Sequence, residues 1–435
     1  MNDASSSHPS LIRAIGRWSL AALMLNIVIG SGIFGLPSAV AGVLGSWSPL
    51  AFVIAAVGIG VISACFAEVT SRFGQSGGPY LYAATAFGRF PGLLTGWFNW
   101  LSRISASAAN ANLFATYLAE VWPAASQPAV RFAAMTTMIG GLAWINIRGV
   151  KMGTGVSNGF TAVKILVLTS FVVGGLIFVA LHSMPVRLSF LPHDGNTWLK
   201  GVLLVIFAFT GFEAALIPAG EVRNPQRDIP IALAASGILA AVLYGLIQLV
   251  VVMMLGASVP AEHPLGAAAH VFGGNLAATL ISFGALISVI GYLAAGMIAS
   301  PRITFAFAER GDFPRWFAAI HERFRTPYVS IITFAVLLWV LALLGNFRAN
   351  AIISAVSRLA IYAMVCASLP ALRKKKLGSE GFRLPGAYVF VTLGIGFACA
   401  VASRMGLPEL IALGVTTALA LINWLAVRNK PAPSF

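Results

Sequence analysis

The chain has 435 residues, 58% of them hydrophobic and only 9% charged, with mean hydropathy +0.88, a balance that excludes a soluble globular domain and points to several bilayer crossings. The formal charge of +15 would suit a nucleic-acid partner, but the 28 basic residues are scattered over short loops rather than gathered in one patch, so none is expected. Three cysteines, Cys65, Cys366 and Cys399, sit singly in apolar segments, which argues against a disulfide framework or a thiolate metal site.

Residues 1–16 form a polar, Ser-rich tail, and the apolar stretch after them lacks a small-residue cleavage site, so it reads as an uncleaved first span. At about 20 apolar residues per crossing, the sequence predicts an all-helical polytopic protein of twelve spans. These lie near 17–44, 47–71, 91–119, 128–146, 157–181, 199–219, 231–256, 272–301, 327–345, 348–370, 386–405 and 408–427. An even count puts both termini on one side. That side holds 20 basic residues, among them Arg72, Arg148, Arg302, Arg310 and Lys374, against five opposite: Arg131, Arg187, Lys200, Arg348 and Arg404. The positive-inside rule then makes both termini cytoplasmic, in a cell (inner) membrane. Between spans eight and nine, residues 302–326 mix apolar and charged residues at helical spacing, the pattern of a short amphipathic helix at the interface.

The first span is interrupted at Asn26–Ser38, where Gly30, Ser31 and Gly32 are followed by Pro37. Such a break at membrane depth is tolerable only where the freed backbone groups line a protein cavity, so it marks a candidate ligand site. A second interruption, Phe207–Glu213, falls in span six, and paired broken helices in two halves of a membrane protein point to a transporter's central site. Their positions suggest two five-span repeats of opposite orientation, 17–181 and 182–370, with 371–435 holding a cytoplasmic loop, two extra helices and a tail. The half-helix starting near Gly32 presents free N–H groups and a positive dipole end to a carboxylate, through the amides of Ser31, Gly32 and Ile33, with Gly30 providing the turn. Packing alone would also favour glycine, but packing motifs space small residues by four rather than consecutively.

Five ionisable residues fall within the spans: Glu68, Arg103, Lys164, Glu213 and Arg358. Charges at that depth are costly and therefore candidates for function. Glu213, at the second break, can meet a substrate amine or pair with Arg103 or Arg358, and pairing is favoured because a buried charge needs a partner. Glu68 reads as a gating or packing residue near the cytoplasmic end of span two. Arg103 and Arg358 add positive charge near the pathway, which argues against cationic substrates. His263 and His270 are isolated, so no metal is expected, and nothing in the sequence calls for a cofactor.

Four stretches in register, GSGIF in span one, AEVTSRFGQSGGPYLY at 67–82, TGFEAALIPAGEVRNPQRDIP at 210–230 and RITFAFAERGDFP at 302–314, resemble the amino acid/polyamine/organocation transporter superfamily. The resemblance implies the leucine-transporter fold, with a 5+5 inverted repeat and broken helices one and six, alternating access, and secondary transport of amino acids or related amines. It also places the carbonyls of Phe207, Ala208 and Thr210, with Ile27 facing them, around the substrate ammonium, and makes Phe207 the aromatic that closes over it. It gives Lys164, in span five, the place where sodium-coupled relatives hold a cation, so that its ammonium substitutes for the ion and couples transport to protons; a fixed structural charge is the alternative. The expected activity is proton-coupled symport of an amino acid, small or medium and neutral, with exchange or amine transport as alternatives and a non-transporting sensor as a weaker one. An enzyme is not expected, since neither GxSxG nor HExxH occurs, and the absence of GxxxxGK[ST] disfavours an ATP-driven pump.

Overall fold

The computed structural model describes residues 16–73, 77–149, 154–182, 194–216, 222–256, 262–376 and 381–429, apart from the side chains of 154–158. The tail up to residue 15, Lys151 and Arg187 lie outside them. The described residues fold into helices, with no β-strand among them.

Glycine and proline decide where the first helices stop. α1 (Arg17–Val28), α2 (Gly32–Gly35) and α3 (Pro37–Leu44) are one apolar stretch cut at Ile29–Ser31 and bent again before Pro37. α4 (Ser48–Ser71), α5 (Gly78–Phe87), α6 (Arg89–Val121), α7 (Pro128–Ile147) and α8 (Thr154–His182) complete the first half. α9 (Gly195–Phe209) and α10 (Phe212–Ala215) are the second cut stretch. α11 (Pro225–Leu255), α12 (Pro264–Ala299), α13 (Pro301–Glu309), α14 (Tyr328–Leu344), α15 (Phe347–Lys374), α16 (Ala387–Ala402) and α17 (Leu407–Val427) follow. Many of these helices carry proline in the first turn, where its missing N–H costs nothing.

By length and composition, nine helical stretches of the described residues can cross a membrane, and α14 and α16 are shorter apolar helices beside them. The expected twelve includes α6, which is absent from the nine although its 33 residues would reach about 50 Å. Its composition explains this. α6 buries Ser102, Ser105, Ser107, Asn110 and Asn112 against α15, α12, α14 and α5, so it faces protein on most sides and does not need an apolar surface. The outer helices are built the other way, with Leu166 and Ile177 of α8, Ile238 and Val242 of α11 and Ile422 of α17 exposed. An apolar exterior around a partly polar centre is the arrangement that a lipid solvent favours.

Two expected loops contain helix. α5 occupies the connection after α4, and α12 begins at Pro264, eight residues before the predicted span, with Gly274 at φ 63° kinking the early arm away from the rest. Within 302–326 the helical part is α13 and a short 3-10 turn at Arg315–Ala318. Phe307, Phe313 and Phe317 there pack with Tyr80 and Leu93 into a small second core.

Candidate functional site

At the first break, Ile29 leaves the helical region and the Gly30 amide turns back to the Val28 carbonyl at 2.7 Å. The carbonyls freed by the cut are taken up by side chains. Tyr244 of α11 donates to the Val28 carbonyl at 3.0 Å, and the Lys164 ammonium of α8 donates to the carbonyls of Ile29 at 3.0 Å and Asn26 at 3.3 Å. The amides are not taken up in this way. Ser31 makes no side-chain cap, its buried Oγ has no partner, and the amides of Ser31, Gly32 and Ile33 meet no acceptor among the described residues. Buried donors left open cost about 1–3 kcal/mol each, so the start of α2 keeps donors available to an acceptor that the described residues do not supply.

Gly32 has a second duty. A Cβ there would stand 2.7 Å from the Ala208 Cα, so α2 and α9 approach each other through this glycine, whereas a Cβ on Gly30 would meet nothing nearer than the Tyr292 ring at 3.6 Å.

The second break is built in the opposite sense. Thr210 is extended and Gly211 takes φ 114°, a left-handed conformation that favours glycine. The Gly211 amide donates to Glu213 Oε2 at 3.0 Å, so here the freed donor is satisfied within the chain. The Thr210 hydroxyl donates to the Phe207 carbonyl at 3.0 Å, while the carbonyls of Ala208 and Thr210 meet no donor among the described residues.

Arg358 and Tyr362, one turn apart on α15, close this break from the side. The Arg358 guanidinium pairs with Glu213 at 3.2 Å and donates to the Thr210 hydroxyl at 2.5 Å, and the Tyr362 hydroxyl donates to Glu213 at 2.7 Å. Glu213 is buried with all of these partners and lines none of the cavities near the break. Of the two arginines named as its possible partners, Arg358 is the one that pairs. Arg103 has no carboxylate within ion-pairing distance among the described residues. Its Nε contact to Asn99 is long, at 3.4 Å, and its Nη2 is buried without a partner.

Three spaces surround the breaks. Between them lies one of about 10 Å³, lined by Ile27, Gly30, Ser31, Gly32, Asn110, Phe207, Thr210, Tyr292 and Arg358, with room for roughly one water. Toward the end of the bundle where α1 begins is a cavity of about 180 Å³, walled by Leu23, Asn26, Phe160 and Tyr292 and by the three cations Arg103, Lys164 and Arg358. Toward the opposite end, a wider space of about 640 Å³ is lined by Leu36, Asn112, Arg131, Glu262 and Phe347. Phe207 and Phe347 meet edge to face at 6.2 Å between the small space and this wide one.

Glu68 lies away from all three spaces. It is fully buried near the end of α4, where Arg373 reaches both of its carboxylate oxygens at 2.8 and 2.6 Å, Arg72 donates at 2.6 Å and the Leu384 amide at 2.8 Å. It ties α4 to α15 and to the segment entering α16. Asp312 makes a similar knot after α13, receiving Arg89 at 2.9 and 2.8 Å and the Tyr80 hydroxyl at 2.6 Å. Burial and the neighbouring Asp312 carboxylate push the Tyr80 phenol well above its ordinary pKa, so it stays a donor at physiological pH.

Residues 15–427 match the amino acid permease family, nearly the whole chain. The chain belongs to that family. The permease is 31% identical over 363 residues to an uncharacterised transporter of Mycobacterium tuberculosis, covering 82% of this chain and 80% of the relative. It is 27% identical over 445 residues to the methylthioribose transporter of Bacillus subtilis, covering 98% and 93%, and 24% identical over 448 residues to the branched-chain amino acid permease of that organism, covering 98% and 95%. Membership makes the permease a multi-pass membrane protein and a transporter of small molecules.

Sequence reasoning missed Tyr292, Asn110, Tyr362 and Phe347. A single aromatic or asparagine in an apolar helix reads as packing, and only the position of the breaks shows which of them face the site. Asn110 carried the best available signal, lying in the unusual polar run from Ser102 to Asn112 of α6.

Proposed function

We propose that this permease is a secondary transporter of amino acids that works by alternating access and couples uptake to protons, on a leucine-transporter fold of twelve spans arranged as inverted repeats at 17–181 and 182–370. The observation that carries the reading is the pair of breaks, one with open amides at Ser31–Ile33 and the other with open carbonyls at Ala208 and Thr210, with Ser31, Gly32 and Thr210 lining one small space between them. An amino-acid head has one anionic and one cationic end, and this space offers donors to the first and acceptors to the second. In this reading Phe207 and Phe347 form the gate on the outer side, and the cation-lined cavity is the cytoplasmic approach.

Lys164 is the coupling residue in this scheme. Its ammonium bonds to the carbonyls at the end of α1, so loss of its proton frees that end of the broken helix. Glu68 and Asp312 would clamp the cytoplasmic face by joining elements that must part when it opens. Three cations around the approach weigh against polyamine or cationic substrates. The chemistry needed is binding and movement, so we read the protein as non-enzymatic.

The test is uptake of radiolabelled amino acids into liposomes holding the purified protein, with and without an inward proton gradient and with and without internal amino acid, for the native chain and Lys164→Ala. Gradient-driven uptake that falls roughly tenfold or more in the variant supports proton symport through Lys164. Uptake that needs internal substrate instead means exchange. Failure of every amino acid to enter under any condition overturns the reading.

A further inference from the structure

The cavity on the approach side of the breaks has an unbalanced charge. Arg103 from α6, Lys164 from α8 and Arg358 from α15 all line it, and the one carboxylate beside them among the described residues, Glu213, is turned away and already occupied by Arg358, Tyr362 and the Gly211 amide. Three positive charges against one negative leave +2, or +1 if Lys164 has given up its proton. Isolated buried charge is costly, and a cavity that only needed a polar wall would have no use for a guanidinium with no anion. Lys164 has its backbone carbonyls and Arg358 has Glu213. Arg103 has no ionic partner among the described residues, and one arm of its guanidinium makes no hydrogen bond.

From this we propose that the cavity receives the side chain of the substrate, and that this side chain carries its own carboxylate, so the permease selects acidic amino acids. The inference rests on the amino-acid reading above and deepens it. The α-carboxylate and ammonium meet the open amides and carbonyls of the two breaks as the small space between them widens to admit the substrate, and the distal carboxylate extends past Ile27 and Tyr292, which line both spaces, to Arg103. A planar guanidinium matches a carboxylate with two parallel N–H donors. Ser107, one turn further along α6, lines the same wall and can add a hydroxyl. Leu23 and Phe160 suit the methylenes between the two ends. A cationic side chain would enter against three like charges, and a neutral amide would leave the guanidinium without an anion. Inorganic chloride is the other source of negative charge, and it would leave the cavity open to neutral side chains.

The test compares glutamate with glutamine, which have the same shape and differ in the distal charge, by competition for binding and by uptake in liposomes, in chloride and in gluconate media. The expected result is a preference for glutamate of roughly tenfold or more, independent of chloride. Arg103→Gln should remove most of that preference, with glutamate falling far more than glutamine, and Arg103→Lys should restore part of it. Equal or better handling of glutamine or leucine in both media overturns the acidic selectivity while the amino-acid reading stands, and a glutamate preference that appears in gluconate but vanishes in chloride assigns the site to that ion and overturns it too. If no amino acid binds or enters, both fall. Should Arg103→Gln fail to fold, the native comparison and Arg103→Lys still decide the question.

Discussion

The two helix breaks solve one problem in opposite ways. At the first, neighbouring side chains cap the carbonyls, through Tyr244 and Lys164, and leave the amides of Ser31, Gly32 and Ile33 bare. At the second, Glu213 takes the freed amide of Gly211 and leaves carbonyls bare. Each break is thus half satisfied, and the unsatisfied halves are of opposite sign and meet at one space, through Ser31 and Gly32 on one side and Thr210 on the other. Two incidental kinks would each be fully capped, because an open buried polar group is destabilising. In the proposed function, the donors open at one break and the acceptors open at the other are what a zwitterionic substrate would engage.

The largest expected effect of breaking this arrangement is at Glu213. Glu213→Ala leaves Arg358 buried beside an uncapped Gly211 amide, and loss of one partner of a buried pair costs about 3–5 kcal/mol. The melting temperature of the purified protein in detergent should fall sharply, and Glu213→Ala with Arg358→Met should recover much of the loss. Recovery would show that the cost is the stranded charge. A double variant no better than the single one would place the role of Glu213 in the Gly211 turn.

The two glycines of the first break sharpen the comparison further. Gly32→Ala sets a methyl 2.7 Å from the Ala208 Cα, and neither backbone can yield easily, so about 1–3 kcal/mol of stability should be lost. Transport should fall with it, since α2 would be pushed off α9. Gly30→Ala meets nothing nearer than the Tyr292 ring at 3.6 Å, an ordinary contact, and its stability should lie within about 1 kcal/mol of the native protein. Equal melting of the two variants would mean that the close approach at Gly32 is relieved at no cost.

What could be read from the sequence follows from how local each signal is. The first break was legible because Gly–Ser–Gly and a following proline act on their own backbone, and Lys164 because one cation in an apolar run stands out. The partner of Glu213 was not legible. Arg103 and Arg358 both fall within predicted spans, and the choice depends on how α15 lies against the second break, which no local pattern encodes. The span count shows the same limit from another side. α6 falls outside the apolar set because its surroundings are protein rather than lipid, and hydropathy measures a residue's preference for a solvent without saying which neighbour supplies it. The arm of α12 before Gly274 was read as loop since its polar and small residues form no apolar period long enough to count.

The smallest effects belong to the helix caps outside the membrane core, and they separate by charge. Asp194 caps α9 by accepting from the Thr197 amide at 2.8 Å, and Asn346 caps α15 by accepting from the Ala349 amide at 2.9 Å. Asn346→Ala should cost about 1 kcal/mol at any pH. Asp194 is exposed and its contribution is slighter, but it varies with pH. The Thr197 bonds hold its carboxyl below the usual carboxylate range, so its folded pKa is depressed relative to the unfolded chain. Its stabilisation is therefore present at neutral pH, above the unfolded value, and is lost as pH falls through the folded one. Melting of Asp194→Asn and the native protein should differ at pH 7 and converge in acid, while Asn346→Ala keeps a constant offset. A constant offset for Asp194→Asn as well would mean that the cap works by geometry alone, and that α9, which carries the second break, starts without help from charge.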